Sequence, residues 1–241
     1  MRALLLCAGA GTRMRPLTYV VPKPLVEVAG VPMAVRQLLA LRRAGITDVV
    51  VNAAHQSELL QAALGDGAAW GVRLHWSVEG RTAEEALETR GGIVRALDLL
   101  TADGDEAFLV VAGDIVTDYP YERLVQAGEG LSEERAAHLV LVSNPVYHPK
   151  GDMRLENGWV CRDAPTHTFS SLGAYRASLF AGLPDEKAGL FPWFFEFCAQ
   201  GRVSGEVYEG FWRNVGDFRE LAAAQKALGR QPNAWPRAVK A

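Results

Sequence analysis

The sequence predicts an α/β protein. A mixed, mostly parallel central sheet is flanked by helices on both faces, and a β-rich second half follows. Three observations carry this. Short buried runs alternate with amphipathic stretches over residues 1–143, the pattern of βα units around a parallel sheet. After Asn144 the pattern shifts to short extended stretches with Gly and Pro turns. No Gly/Ser linker, internal repeat or low-complexity segment divides the two halves. The chain of 241 residues therefore reads as one domain, made of 1–143, 144–228 and a loose tail at 229–241.

The elements follow in order. Residues 2–7 (RALLLC) form a buried strand, and 32–44 show helical apolar spacing, with Pro32 in a first turn and Gly45 ending the helix. ITDVVVN (46–52) is a strand, SELLQAAL (57–64) a helix, and VRLHWSV (72–78) an alternating strand. GGIVRALDLL (91–100) is helical, AFLVVAG (107–113) a buried strand, 121–127 a short helix and AHLVLVS (137–143) a strand. Crossovers between the parallel strands are right-handed. In the second half, extended stretches at 152–156, 158–162 and 168–175 precede helical stretches near 177–182 and 190–200. VSGEVYE (203–209) alternates as a strand, and 217–228 form a final amphipathic helix.

Composition narrows the function. At 49% hydrophobic and 22% charged, the chain is globular rather than disordered. A net charge of −3 lacks the basic signature of a nucleic-acid partner. No apolar run is long enough to span a bilayer. The N-terminal MRALLLCAGAG has a signal peptide as its competing reading, but it makes a better buried strand ending in a Gly-rich loop. Cys7, Cys161 and Cys198 are odd in number and far apart. That opposes a disulfide framework or a CxxC metal site and fits a reducing cytoplasm. The charge is also uneven. Arg2, Arg13, Arg15 and Lys23 give residues 1–26 a charge of +4, while the remainder carries −7. An anionic ligand at that end and a merely basic surface explain this equally well.

The first functional signal is the loop after the first strand, Cys7-Ala8-Gly9-Ala10-Gly11-Thr12-Arg13-Met14-Arg15-Pro16. Small residues let backbone N–H groups approach a phosphate closely. No Walker A pattern is present. The dinucleotide fingerprint fails at Met14, its third glycine position, and at Asn52, where the second strand would end in an acid. Gly9 to Val31 span 23 residues without a clear regular element, and loops of that length in compact domains are usually functional. Arg13, Arg15 and Lys23 lie on it and suit a triphosphate; the competing reading is a structural turn with surface charges.

CAGAGTRMRPLT followed by PKPLVEVAGVPM resembles the paired signature of the sugar-phosphate nucleotidylyltransferases. LETRGG (87–92), VAGD (111–114) and WRNVG (212–216) fall where that family has its later motifs. The resemblance covers nearly the whole chain. Within the family it is greatest to the short bacterial N-acetylmuramate 1-phosphate uridylyltransferases, through GDIVTDY, SNPVYHPKGDMRL, TFSSLGAY and VSGEVYEGFW.

What the resemblance implies is specific. The fold is a Rossmann-like three-layer nucleotidyltransferase fold, with a nucleotide-binding first half and a sugar-phosphate-binding second half. The reaction joins UTP to a sugar 1-phosphate and releases pyrophosphate, with Mg²⁺ as cofactor. Arg13, Lys23 and Asp114 would be catalytic. Arg13 would hold the triphosphate, Lys23 would bridge the reacting phosphates, and Asp114 would hold Mg²⁺. Ala8, Gly9, Ala10, Gly11, Thr12, Asn52, Leu87 and Gly92 would line the nucleotide site. Asp152, Arg154, Thr168, Ser170 and Ser171 would meet the sugar phosphate, with Arg154 matched to a muramyl carboxylate and Lys150 and Arg202 as rivals. Membrane and nucleic-acid partners are not expected, and the assembly is a monomer or small homo-oligomer.

Three departures from the pattern stand out. Asn214 replaces the usual Asp of WxDVG, so it would complete the metal site with less charge; Asp217 more naturally caps the last helix. Ala112 stands where related chains often have Asn. Residues 81–86 are extra, and Glu79, Glu84 and Glu85 there read as a solvated anionic loop. The aromatic run Phe191, Trp193, Phe194, Phe195 and Phe197 reads as core packing. Two other functions remain open. A glycosyltransferase would need an Asp-x-Asp, but Asp114 and Asp118 are four apart. A non-catalytic nucleotide-sugar binder is favoured only by Asn214 and Ala112.

Overall fold

A computed structural model describes residues 1–229; the loose tail expected from the sequence lies otherwise outside the described residues. The first half comprises β1 (Arg2–Leu6), a β2–β3 hairpin (Glu27–Val28, Val31–Pro32), α1 (Met33–Arg43), β4 (Asp48–Ala53), α2 (Ser57–Leu64) and β5 (Arg73–Val78). It continues with α3 (Glu88–Leu100), β6 (Ala107–Ala112), β7 (Ile115–Thr117), α4 (Tyr121–Glu129) and β8 (Ala137–Ser143). The second half adds β9 (Arg154–Glu156), β10 (Trp159–Cys161), β11 (His167–Arg176), α5 (Phe195–Ala199), β12 (Val203–Tyr208), β13 (Trp212–Asn214) and α6 (Phe218–Gly229).

One sheet runs through both halves, in the order β5-β4-β1-β6-β11-β8-β12-β10-β9. Tracing the pairings, β11 and β10 run against the other seven strands. The sheet is thus mixed and mostly parallel in direction, with β11 inserted between β6 and β8. The alternation read from the sequence is the physical basis of the layers. On β1, Ala3 and Leu5 face the core formed with α1, α2 and α4, while Leu4 faces the core formed with α3 and the 179–198 segment. Phe108 and Val110 on β6 share Leu4's side, and Leu109 and Val111 share Leu5's. A third, smaller core joins Met14, Val26, Met33, Val116, Val215 and Ala224, so it packs the Gly-rich loop onto α6 and the small β7–β13 sheet.

Several expectations shift. Pro32 precedes α1 as its cap instead of lying in its first turn. Gly45, at φ +87°, ends the helix as expected, with Ile46 N–H donating to the Leu41 carbonyl at 3.0 Å. The stretch 177–182 is only a 3₁₀ turn over Ala177–Leu179. Within 190–200 the α-helix is confined to Phe195–Ala199, because Pro192 lacks an N–H and restricts Phe191. The run from Gly9 to Val31 is not featureless: it holds three 3₁₀ turns and the β2–β3 hairpin. The aromatic run does pack inward, with Phe194 fully buried and its ring 5.5 Å from that of Tyr175.

Candidate active site

The C-terminal ends of β1, β4 and β6 converge on one cleft of about 460 Å³, the position at which open α/β sheets hold ligands. The loop after β1 is shaped by sterics. Gly11 has φ +61°, and a Cβ there would lie 2.9 Å from Thr18 Cγ2 and 3.0 Å from Lys23 Cβ. Only glycine meets both demands. The Thr18 hydroxyl donates to the Gly11 carbonyl at 2.9 Å, and the buried Met14 anchors the next turn in the third core. Arg13 is thereby left exposed. A Cβ on Gly216 would sit 2.7 Å from an Arg13 guanidinium nitrogen, so this arginine lies against the backbone of the 212–216 segment. Ala8, Gly9 and Gly11 line the cleft; Ala10 and Thr12 belong to the same loop but are not among the lining residues.

Lys23 and Asp114 face each other as an ion pair at the cleft wall, with side-chain exposures of 11% and 26%. Lys23 is fixed on a 3₁₀ turn between Pro22 and Pro24. Asp114 follows β6 on a tight turn: a Cβ on Gly113 would come within 2.8 Å of Cys7 Sγ. The β7–β13 pairing sets Asn214 opposite Ile115, and Val215 N–H donates to the Asp114 carbonyl at 3.0 Å. Asn214 Oδ1 is buried and has no hydrogen-bond partner. A buried amide oxygen without a donor is costly unless a ligand satisfies it. Asn214 and Asp114 thus bring oxygen donors to adjoining backbone positions, the ligand type that Mg²⁺ takes. Asp217 is otherwise engaged, accepting the Glu220 N–H at 2.9 Å as the cap of α6.

Burial, then the negative charge of Asp114, pushes the Cys7 thiol far above its ordinary range, so this cysteine is inert. Asp118 accepts a hydrogen bond from the Tyr208 hydroxyl.

Asn52 reaches the cleft with a different emphasis. Its Oδ1 accepts the Cys7 N–H at 2.7 Å, and its Nδ2 donates to Glu79 at 2.6 Å. Glu79 also accepts the Leu87 N–H at 2.8 Å. Glu79 is buried at 7% exposure, which corrects its reading as part of a solvated loop; Glu84 and Glu85 are exposed as expected. Burial raises the Glu79 carboxyl above its usual range, opposed by the bonds from Leu87 and Asn52. Leu87 precedes the first residue of α3. Gly92 packs where a Cβ would approach Glu79 to 2.5 Å, so its requirement is packing against this carboxylate.

The sugar-side candidates separate. Ser171, at φ +64° in the irregular register of β11, lines the cleft. Ser170 is fully buried and donates to the Val140 carbonyl at 2.6 Å. Thr168 donates to Asn144 at 2.9 Å. Asp152 accepts the Phe169 N–H at 2.9 Å and pairs with His148 at 2.9 Å. Arg154 lies away from this cleft. Its guanidinium pairs with Glu156 at 2.7 Å and Asp163 at 2.8 Å, in a separate groove of about 1280 Å³ on the β9–β10 side. That groove contains none of the Gly-rich loop, Lys23 or Asp114. Its size therefore does not make it the reaction site.

One residue was misread and two escaped the sequence reading. Glu79 stands directly after the parallel strand β5, a signal its reading as a solvated acid passed over. Lys187 lines the cleft from the 184–190 segment. Tyr147, half-exposed on the 144–152 loop, lies in the field of the site. Burial, then Glu220, push its phenol up to about 12, with Asp114 adding and Arg13 and Arg213 opposing. Neither Lys187 nor Tyr147 carries a local sequence signal.

A Gly-rich loop, a lysine–aspartate pair and an adjoining asparagine at the strand ends give the cleft the features of a nucleotide-handling enzyme. The sequence model of the nucleotidyl transferase family matches residues 2–150, and the chain belongs to that family. It is 41% identical over 234 residues to the N-acetylmuramate alpha-1-phosphate uridylyltransferase of Neisseria meningitidis serogroup B, covering 95% of this chain and 99% of that protein. It is 31% identical to a mannose-1-phosphate guanyltransferase of Aspergillus fumigatus, covering 92% of this chain and 62% of that one. The fold matches the crystal structure of a glucose-1-phosphate thymidylyltransferase assignment from Bacillus anthracis, with TM-score 0.82 and 19% identity over 99% of this chain and 98% of that one. HddC from Yersinia pseudotuberculosis complexed with GMP-PN matches at TM-score 0.75 and 16% identity, covering 94% and 99%.

Proposed function

We propose that this enzyme transfers UMP from UTP to N-acetylmuramate 1-phosphate, giving the UDP-sugar and pyrophosphate, in the recycling of cell-wall sugars in the cytoplasm. The observation that carries the reading is the Lys23–Asp114 pair beside the Gly-rich loop. A sugar 1-phosphate oxygen attacks the α-phosphorus; the bond from that phosphorus to the pyrophosphate oxygen breaks, and pyrophosphate leaves. Such a step needs alignment and charge neutralisation more than a protein nucleophile. The backbone of Ala8–Gly11 receives the phosphates, and the exposed Arg13 stabilises the leaving pyrophosphate. Lys23 bridges the reacting phosphates. Asp114 and the unpartnered Asn214 Oδ1 would hold Mg²⁺. The metal supplies Lewis-acid neutralisation of the phosphate oxygens.

The Neisseria relative supports the choice of base and sugar. The test is a matrix of nucleoside triphosphates against sugar 1-phosphates, read by pyrophosphate release. UTP with N-acetylmuramate 1-phosphate is expected to be the best pair. GTP with mannose 1-phosphate as the best pair would overturn the substrate assignment, and no pyrophosphate with any pair would overturn the activity.

A further inference from the structure

Two cations line the cleft among the described residues, Lys23 and Lys187. Lys23 is engaged by Asp114. Lys187 donates to the backbone carbonyl of Glu84 at 3.1 Å, and no carboxylate of the described residues lies within ion-pairing distance of it. The exposed Glu84 carboxylate does feel its charge. The acids next to it in sequence are already committed: Asp185 to Arg95 at 2.5 Å and Glu186 to Arg90 at 3.3 Å.

The segment bearing Lys187 is held firmly. Ala188 N–H donates to the Leu87 carbonyl at 2.9 Å, and the Ala188 carbonyl accepts the Arg90 and Gly91 N–H groups at 2.9 and 3.1 Å. Gly91 packs so closely that a Cβ there would meet the Glu186 carbonyl at 2.2 Å. Beyond Lys187 the chain returns to the cleft wall at Leu190, with Phe169 and Ser171 of β11 also on that wall. Glu88 also lines the cleft, but Lys187 has no ion-pair partner among the described residues, and an ammonium so placed on a fixed backbone is a receptor for an anionic substituent.

Resting on the reading of the cleft as a sugar 1-phosphate site, we infer that Lys187 is a specificity-determining residue that receives a carboxylate carried by the sugar. N-acetylmuramate bears such a group on its lactyl ether arm; N-acetylglucosamine lacks it. Arg154, the arginine first matched to this carboxylate, is neutralised by two acids of its own in another groove.

The test compares equilibrium binding of N-acetylmuramate 1-phosphate and N-acetylglucosamine 1-phosphate by calorimetry, for wild type, Lys187→Met and Lys187→Arg, with UTP binding measured alongside. The ratio of the two sugar affinities should fall about tenfold in Lys187→Met, and Lys187→Arg should restore most of it. UTP affinity should hold. A ratio that falls less than threefold overturns the inference, and so does a loss confined to UTP, which would make Lys187 a support of the 80–87 loop. A wild type that binds the two sugars equally also overturns it, while nucleotidyl transfer stands. A wild type that prefers the muramate but releases no pyrophosphate overturns the proposed activity and leaves Lys187 in its role.

Discussion

Replacing Asn52 by Ala removes one side chain that serves two buried groups. The Cys7 N–H loses its acceptor at 2.7 Å, and Glu79 loses a donor at 2.6 Å. Asn52 is 3% exposed and Glu79 7%, so solvent does not simply replace the amide. An unsatisfied buried N–H costs about 1–3 kcal/mol, and a hydrogen bond to a charged group contributes about 1.5–3 kcal/mol. Together the loss is about 2.5–6 kcal/mol. For a chain of this size each kcal/mol lowers Tm by about 2–4 °C, so a fall of roughly 5–24 °C is expected. Urea unfolding measures it, with an unchanged slope showing that the unfolded state is not the cause. The pH dependence carries a second check. Burial raises the folded Glu79 carboxyl, and the Asn52 bond opposes that rise by favouring the ionised form. Without Asn52 the folded carboxyl rises further, so folding takes up protons more strongly. The Glu79 part of the penalty is therefore full only where the variant's more strongly raised carboxyl is also ionised, and it shrinks as pH falls from there through the raised folded range of both proteins. A loss under about 1 kcal/mol, or one that does not change between about pH 7.5 and about pH 4.5, would refute the reasoning.

Asp114→Asn should lower kcat/KM by about 10³-fold with little change in Tm, because it removes the charge facing Lys23 and the cation site; a loss under tenfold in pyrophosphate release counts against its role. Asn214→Asp places a second carboxylate beside Asp114, so Mn²⁺ or Mg²⁺ binding read by calorimetry should tighten about tenfold; unchanged metal affinity argues against ligation. Gly11→Ala puts a side chain at φ +61° against Thr18 and Lys23 and should cost about 1–3 kcal/mol in urea unfolding while raising KM for UTP. A neutral result there would mean that the loop relaxes freely.

The legible parts of this molecule were those with a local cause. Alternation on β1, β4 and β6 gave the strands and their two faces because every second residue meets a different core. Gly11 was readable as part of a small-residue loop, whereas Lys23 and Asp114 were reached through the family's spaced motifs; the fold sets them on a proline-fixed turn and just past a strand. The β2–β3 hairpin and β7 were not readable, since two- and three-residue strands carry no period. The insertion of β11 between β6 and β8 depends on pairing across more than 60 residues of chain, and no local pattern encodes it. The sugar side is less direct. The resemblance pointed to Thr168, Ser170, Ser171 and Asp152; Ser171 lines the cleft, while the polar atoms of the other three engage backbone and side-chain partners that only the fold supplies.

The uneven charge also changes meaning once partners are known. Of the four cations in residues 1–26, Arg2 is buried and bonds Asp103 at 2.6 and 3.0 Å on the opposite flank of β1, so it belongs to stability. Arg15 lies over the Tyr19 ring at 5.1 Å. Of these four, Arg13 and Lys23 are left for a phosphate, and Lys23 is balanced by Asp114. This coupling has a consequence for the order of events. A triphosphate arriving alone meets a cleft in which lysine and aspartate cancel, whereas a metal ion held by Asp114 would leave the lysine to the phosphates. Nucleotide affinity should therefore rise with Mg²⁺ in the wild type and lose much of that dependence in Asp114→Asn, where Lys23 is free from the start. Equal Mg²⁺ enhancement of UTP binding in both proteins would show that the pair is not the element linking metal to nucleotide.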